Sequence, residues 1–335
     1  MSSSISSSEP ARDWGRCLVA CFGTLAVGAC LILALMLAVD PYDSGRFGWF
    51  GISGVNDRNA VTANVSRGRD PQFNAAIFGN STGQLLEPAE LSRATGLRFV
   101  QLVAPGTDPR GQLAIFDFFV RHHPRIGALV FVLDDPWCNG ALPPLPRSAF
   151  PFWLYGESAL AYAGHLFTWR ALDRISQRIN IGLGRRVAMN SDGFWSYEEA
   201  WPAGKRPEEG PKRPSPPSNG AVEHDFPFAG LLQAAIRKLP ADVPVVLLSP
   251  PTFHRLVPEP GSAAAAHLAA CHAAFKSIVA GRPHSNFIDY RVDNALTRDP
   301  ANFVDMIHIR AGIARRLEAG IVASIRSGEG ARIEF

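Results

Sequence analysis

The sequence lacks the features that announce a nucleotide, a metal or a nucleic-acid partner. Its 33 Lys and Arg are nearly matched by 30 Asp and Glu, leaving +3 over 335 residues. The basic residues are scattered and gather on no face, which excludes nucleic acid as a partner class. There is no P-loop, no dinucleotide glycine pattern and no internal repeat. The nine histidines and five cysteines fall into no zinc spacing. No metal and no cofactor is therefore expected.

Charge is also missing from a long run near the start. Cys17 to Val39 holds 23 residues without one ionisable group other than thiols. As a helix it is roughly 35 Å long, against a hydrocarbon core of about 30 Å. A signal peptide is the competing reading, but its apolar stretch is shorter and no small-x-small site follows. The organisation expected is a disordered tail at 1–16, a membrane anchor at 17–39, a neck at 40–70 and a globular part at 71–335. Arg12 and Arg16 precede the run, and Asp40 and Asp43 follow it. The positive-inside rule leaves the tail in the cytoplasm and the rest outside, as for a single-pass protein of a bacterial inner membrane facing the periplasm. Three cysteines lie in the run. Cys138 and Cys271 remain, and they fit either one bridge in an oxidising space or two buried thiols.

The rest of the chain alternates short apolar runs with amphipathic patterns. The runs are Ala75–Phe78, Phe99–Val103, Ala128–Leu133, Pro244–Leu248 and Phe287–Asp289. Each is apolar on both sides, as strands of a buried parallel sheet are. Helical spacing follows them, as in Leu113, Phe116 and Val120, or Ile313, Leu317, Ile321 and Ile325. The pattern predicts a three-layer α/β/α sandwich with a mostly parallel five-stranded sheet, flavodoxin-like, after one transmembrane helix. An aromatic and Pro-rich insertion at about 139–227 interrupts it. That insertion is either a lid or substrate wall, or a peripheral helical pair with a mobile loop over Pro202–Pro227.

Functional residues of such a sheet collect at the carboxyl ends of its strands. The run Asn74–Gly83 reads as strand, glycine turn, hydroxyl, then a helix starting over Thr82–Leu86. Its hydroxyl is Ser81. Near the other end, Asp305-Met306-Ile307-His308 lets a carboxylate meet one imidazole nitrogen within one turn and leave the other free. His308 is then a base for Ser81, oriented by Asp305. The bland alternatives are a Ser81 that only caps a helix and an Asp305 that only caps a turn. Asn80-Ser81-Thr82 also fits a glycosylation sequon. The N–H groups of Ser81 and Gly106 are candidate oxyanion donors. Asn80, Asp134, Trp137 and Asn139 are candidates for positioning substrate. His254 is a spare histidine near the same edge, while His267 and His272 have no partner spacing.

Taken together, these blocks resemble the SGNH (GDSL-like) hydrolase superfamily over about residues 70–326. Gly79-Asn80-Ser81 resembles the block that holds the nucleophile, Gly106 the glycine of the oxyanion hole, and Asp305-x-x-His308 the last block of the triad. Two positions depart from the pattern. Asn80 stands where many members carry Asp, and Leu133-Asp134-Asp135 occupies the place of the usual Asn donor. With the anchor, the resemblance is to cell-envelope O-acylation proteins of the alginate O-acetylation and teichoic acid D-alanine-transfer type. It implies a serine acyltransferase or esterase acting on O-acyl groups of an envelope polysaccharide, beside a membrane-bound O-acyltransferase. The other expectation is an inactive scaffold that binds glycan or recruits that acyltransferase.

Overall fold

The computed structural model describes residues 9–142, 150–189, 191–202, 204–208 and 225–327. In chain order, helices α1 (Glu9–Val39) and α2 (Ala60–Gly68) precede strand β1 (Ala75–Phe78). There follow α3 (Pro88–Thr95), β2 (Phe99–Gln101), α4 (Pro109–His122) and β3 (Ala128–Val132). The insertion carries α5 (Phe152–Tyr155), α6 (Ala159–Gly164) and α7 (Trp169–Gly182). Then come α8 (Pro227–Ile236), β4 (Val245–Ser249), α9 (Ala263–Val279), β5 (Asn286–Asp289), α10 (Ala295–Arg298) and α11 (Ala311–Ser327).

The five strands form one parallel sheet in the order β2-β1-β3-β4-β5. Strand side chains alternate between faces, and each face closes its own core. Ala76, Phe78, Leu129, Phe131, Val245 and Leu247 enter one core, with α4, α8, α9 and the end of α1. Ala75, Ile77, Val130, Val132, Val246 and Leu248 enter the other, with α3 and α11. The expected three layers follow from this division. The chain order reverses between β1 and β3, which opens a crevice at their carboxyl ends.

Several boundaries differ from the sequence expectations. Residues 1–8 of the expected tail lie outside the described residues, and from Glu9 the chain is already helical, continuous with the anchor. The helix expected over Thr82–Leu86 is instead a single 3-10 turn, Ser81–Gly83. Leu85 and Leu86 are buried after it, and the true helix waits for Pro88, whose fixed φ suits a first helical position. The loop expected over Pro202–Pro227 falls largely outside the described residues.

The segment expected as a neck packs into the domain. Asp43 is buried and accepts from Ser66 Oγ (2.6 Å) and the Gly54 N–H (2.8 Å), and it pairs with Arg69 and Arg178. Buried charge needs such partners, so residues 40–70 are held to the body of the protein. Cys138 and Cys271 are bonded, with Cα atoms 5.6 Å apart, and tie the turn after β3 to α9.

Candidate active site

Gly79 ends β1 with φ of +157°, a conformation that disfavours side chains. A Cβ there would meet Val132 Cβ at 3.0 Å, so only glycine lets β1 turn this close to β3. Asn80 follows and caps the 3-10 turn: its Oδ1 accepts from the N–H and the hydroxyl of Thr82, both at 3.0 Å. The turn leaves Ser81 half-exposed at the crevice.

The partner loop comes from the far end of the chain. Phe303 and Ile309 form an isolated antiparallel bridge, and the Val304 N–H donates to His308 O at 2.8 Å. This closes the loop that carries Asp305 and His308. Asp305 Oδ1 accepts from the N–H groups of Ile307 (2.9 Å) and His308 (2.8 Å), and Oδ2 lies 2.8 Å from His308 Nδ1. His308 Nε2 lies 2.9 Å from Ser81 Oγ. Residues 227 positions apart thus form a hydrogen-bonded Ser–His–Asp chain. Partial burial pushes the Asp305 carboxyl up, but the hydrogen bonds from His308 and the two N–H groups outweigh it and bring it down to about 2. The carboxylate is therefore charged at neutral pH, as an imidazole-orienting group must be.

The remaining candidates divide. The Ala104 N–H donates to Gly79 O at 3.0 Å, which lays the Pro105–Thr107 loop beside the serine turn. Gly106 is exposed there with φ of +74°. Among the described residues no acceptor takes the N–H of Ser81 or of Gly106. Asp134 sits after β3, where its Oδ2 accepts from Asn80 Nδ2. Burial pushes its carboxyl up to about 6, against the hydrogen bonds it accepts and nearby Arg291. Its Oδ1 is buried without a partner. Trp137 does not reach the site. It is fully buried, edge-on to Phe131, Phe228 and Phe275, with Nε1 donating to Gln112 Oε1 at 3.2 Å. An indole in an aromatic core can hold β3 to α9, but it cannot touch substrate. Asn139 is exposed at the end of the turn before the insertion, and no hydrogen bond joins it to the triad.

Two groups of residues escaped sequence reasoning. The first is the return of the insertion. The Gln101 N–H donates to Asp192 O at 2.7 Å, so this segment lines the edge of β2. Tyr197 packs its ring edge on His308 at 5.3 Å and donates to Ile309 O at 2.6 Å, and Trp201 lies 6.5 Å from the imidazole. Glu198 accepts the Ala311 N–H at the start of α11 and pairs with Arg310. The wall around His308 therefore comes from the aromatic run Phe194–Trp201, whose aromatic density was the available signal.

The second group is another Ser–His–Asp chain. His272 Nε2 lies 3.2 Å from Ser249 Oγ, and Nδ1 lies 2.9 Å from Asp289 Oδ2. Spacing along the chain gave no sign of it, because the three residues sit on β4, α9 and β5. Ser249 is only 2% exposed. A hydroxyl sealed in this way cannot meet an acyl carbonyl, whereas Ser81 is only partly buried at the carboxyl edge of the sheet. Among the described residues no group of His, Cys, Asp and Glu is placed to hold a metal. Comparison with known proteins finds no matching family model, no similar curated protein and no similar solved structure.

Proposed function

We propose that the chain is a membrane-anchored serine acyltransferase or esterase, acting on O-acyl groups of a cell-envelope polysaccharide. The observation that carries this reading is the 2.9 Å approach of His308 Nε2 to Ser81 Oγ, with Asp305 behind the imidazole. Ser81 Oγ attacks the acyl carbonyl carbon as its proton passes to His308 Nε2. The N–H groups of Ser81 and Gly106 receive the oxyanion. Collapse breaks the bond to the leaving oxygen, which takes the proton from His308, and the acyl group remains on Ser81 as an ester. A glycan hydroxyl or water then attacks that ester, giving its proton to His308, which returns it to Ser81 Oγ. Asp305 balances the imidazolium charge in both halves.

The resemblance to SGNH hydrolases supplies the acyl chemistry, and its membrane-anchored branch supplies the glycan acceptor and a membrane-bound O-acyltransferase as partner. α1 is long and apolar enough to cross a membrane. The bonded Cys138 and Cys271 favour an oxidising compartment, and with Arg12 and Arg16 before the span this supports a domain on the periplasmic face.

One observation favours a scaffold instead. Where the SGNH pattern carries an amide donor, this chain carries the Asp134 carboxyl. In that reading the triad is vestigial and the domain only binds glycan or recruits the acyltransferase. Full-length protein in detergent, offered acetyl-nitrophenyl ester, separates the two. The proposal expects nitrophenol release that Ser81→Ala removes. Equal release by the native and Ala proteins would leave the scaffold.

A further inference from the structure

Exposed aromatic and apolar side chains gather around the last turns of α1, and the length of that helix says where they stand. Its uncharged run begins after Arg16. At 1.5 Å per residue a hydrocarbon core of about 30 Å ends close to Met36. The same level marks the change from helix to domain: Leu31, Ile32 and Leu35 are exposed, whereas Met36, Ala38 and Val39 are buried by the protein.

The N–H groups of Gly48 and Trp49 donate to Leu37 O (3.2 Å) and Ala38 O (2.9 Å). Trp49 is therefore pinned about 3 Å beyond Met36 along the helix, in the zone of lipid headgroups. It is 75% exposed, and Phe50 beside it is exposed as well. The insertion reaches the same level. Tyr162 donates its hydroxyl to Asp40, which directly follows α1, and Arg46 donates to Gly156 O. Leu160, on the same short helix as Tyr162, points outward. α7 packs along α1, and its Arg178 donates to Ile52 O at 2.7 Å. Phe167 is exposed just before that helix, and Trp169 at its start is 87% exposed.

We propose that Trp49, Phe50, Leu160, Phe167 and Trp169 form a lipid-contacting rim that seats the domain on the bilayer interface. The occupant is lipid because the rim is continuous with the span: backbone hydrogen bonds tie Trp49 to its last turn, and the side chains of Tyr162 and Arg178 tie the insertion to Asp40 and Val39. Indole and phenyl rings at headgroup depth bury their apolar bodies while the indole N–H stays wet. The buried pairs of Asp43 with Arg69 and Arg178 make the junction stiff, so the rim cannot swing away from the membrane. The catalytic crevice is then carried at a fixed height and tilt. This inference rests on α1 crossing the bilayer and is independent of any chemistry at Ser81.

The test is tryptophan quenching in the full-length protein. The chain is reconstituted in phosphatidylcholine vesicles with and without phosphatidylcholine brominated near the top of its acyl chains. Native protein is compared with a Trp49→Tyr, Trp169→Tyr variant, whose exposed replacements leave the core untouched. The rim predicts that the emission lost to bromine falls roughly threefold in the variant, from three lipid-contacting tryptophans to Trp14 alone. Equal losses in both proteins would show that only Trp14 meets lipid and would overturn the proposal, leaving the rim for a protein partner. Alkaline carbonate extraction checks the premise, and a native chain that washes out would overturn the rim together with the span. Neither failure would alter ester hydrolysis by Ser81.

Discussion

Replacing Asp305 with Asn separates the orienting role of this carboxylate from its structural one. In the native protein Oδ1 takes two backbone N–H groups and Oδ2 faces His308 Nδ1. Asn keeps an acceptor for the backbone but presents an amide N–H to the imidazole. Nδ1 must then accept, the ring proton moves to Nε2, and Nε2 can no longer take the proton of Ser81. Exchanging the tautomer in a triad costs about 10⁴-fold in kcat, so nitrophenyl ester hydrolysis by the variant should fall by that factor. Stability changes far less. A carboxyl held at about 2 instead of 3.8 is worth about 2.5 kcal/mol when fully shielded. The Asp305 side chain is 31% exposed, and screening by solvent leaves about 1 kcal/mol.

The sign follows from the depressed value. The contribution is present above pH 3.8 and is lost as pH falls through about 2. Urea titrations should therefore place the Asn variant about 1 kcal/mol below native near neutrality, with the gap closing in acid. A folded Asn variant with kcat within threefold of native would refute the assigned role of Asp305.

Ser249→Ala should leave kcat/KM within about twofold of native, because its hydroxyl is sealed beneath the surface. A loss comparable to that of Ser81→Ala would move the chemistry to the second Ser–His–Asp chain. Asp134 ionises near pH 6 beside Asn80, so the native pH–rate profile should carry a step there. Asp134→Asn should remove that step and keep the acid-form rate through it, and an unchanged profile would detach Asp134 from the reaction. The disulfide closes a separation of 133 residues, and replacing both cysteines with Ser should cost about 2–5 kcal/mol in denaturant titration. A cost under about 1 kcal/mol would mean that the bridge does little to restrict the unfolded chain.

The sheet was legible because parallel strands buried on both faces must be apolar throughout, and Ala75–Phe78 and Ala128–Val132 stand out on that ground. The serine turn was legible because only Gly fits where Gly79 meets Val132. Other features depended on contacts that no local pattern encodes. Leu85 and Leu86 suggested a helix running on from Thr82, but they are buried against the second core after a single turn. Trp137 lay at the expected edge, yet its ring turns inward to fill the space between Phe131 and Phe275. His272 looked isolated because its partners lie on neighbouring strands. The segment 40–70 looked like a neck because its Gly, Asn, Asp and Arg residues follow no strong period, whereas Asp43 satisfies a buried arginine from an insertion more than a hundred residues away. Tyr197 and Trp201 were visible as aromatics, but nothing local joined them to His308.

The central claim is that Ser81 is a nucleophile activated by His308. Native full-length protein should be treated with a fluorophosphonate ester and its peptides weighed. One phosphonyl group on the Ser81 peptide, absent after His308→Ala, is the result expected. No adduct, or an adduct on another serine with Ser81 unmodified, would contradict the account.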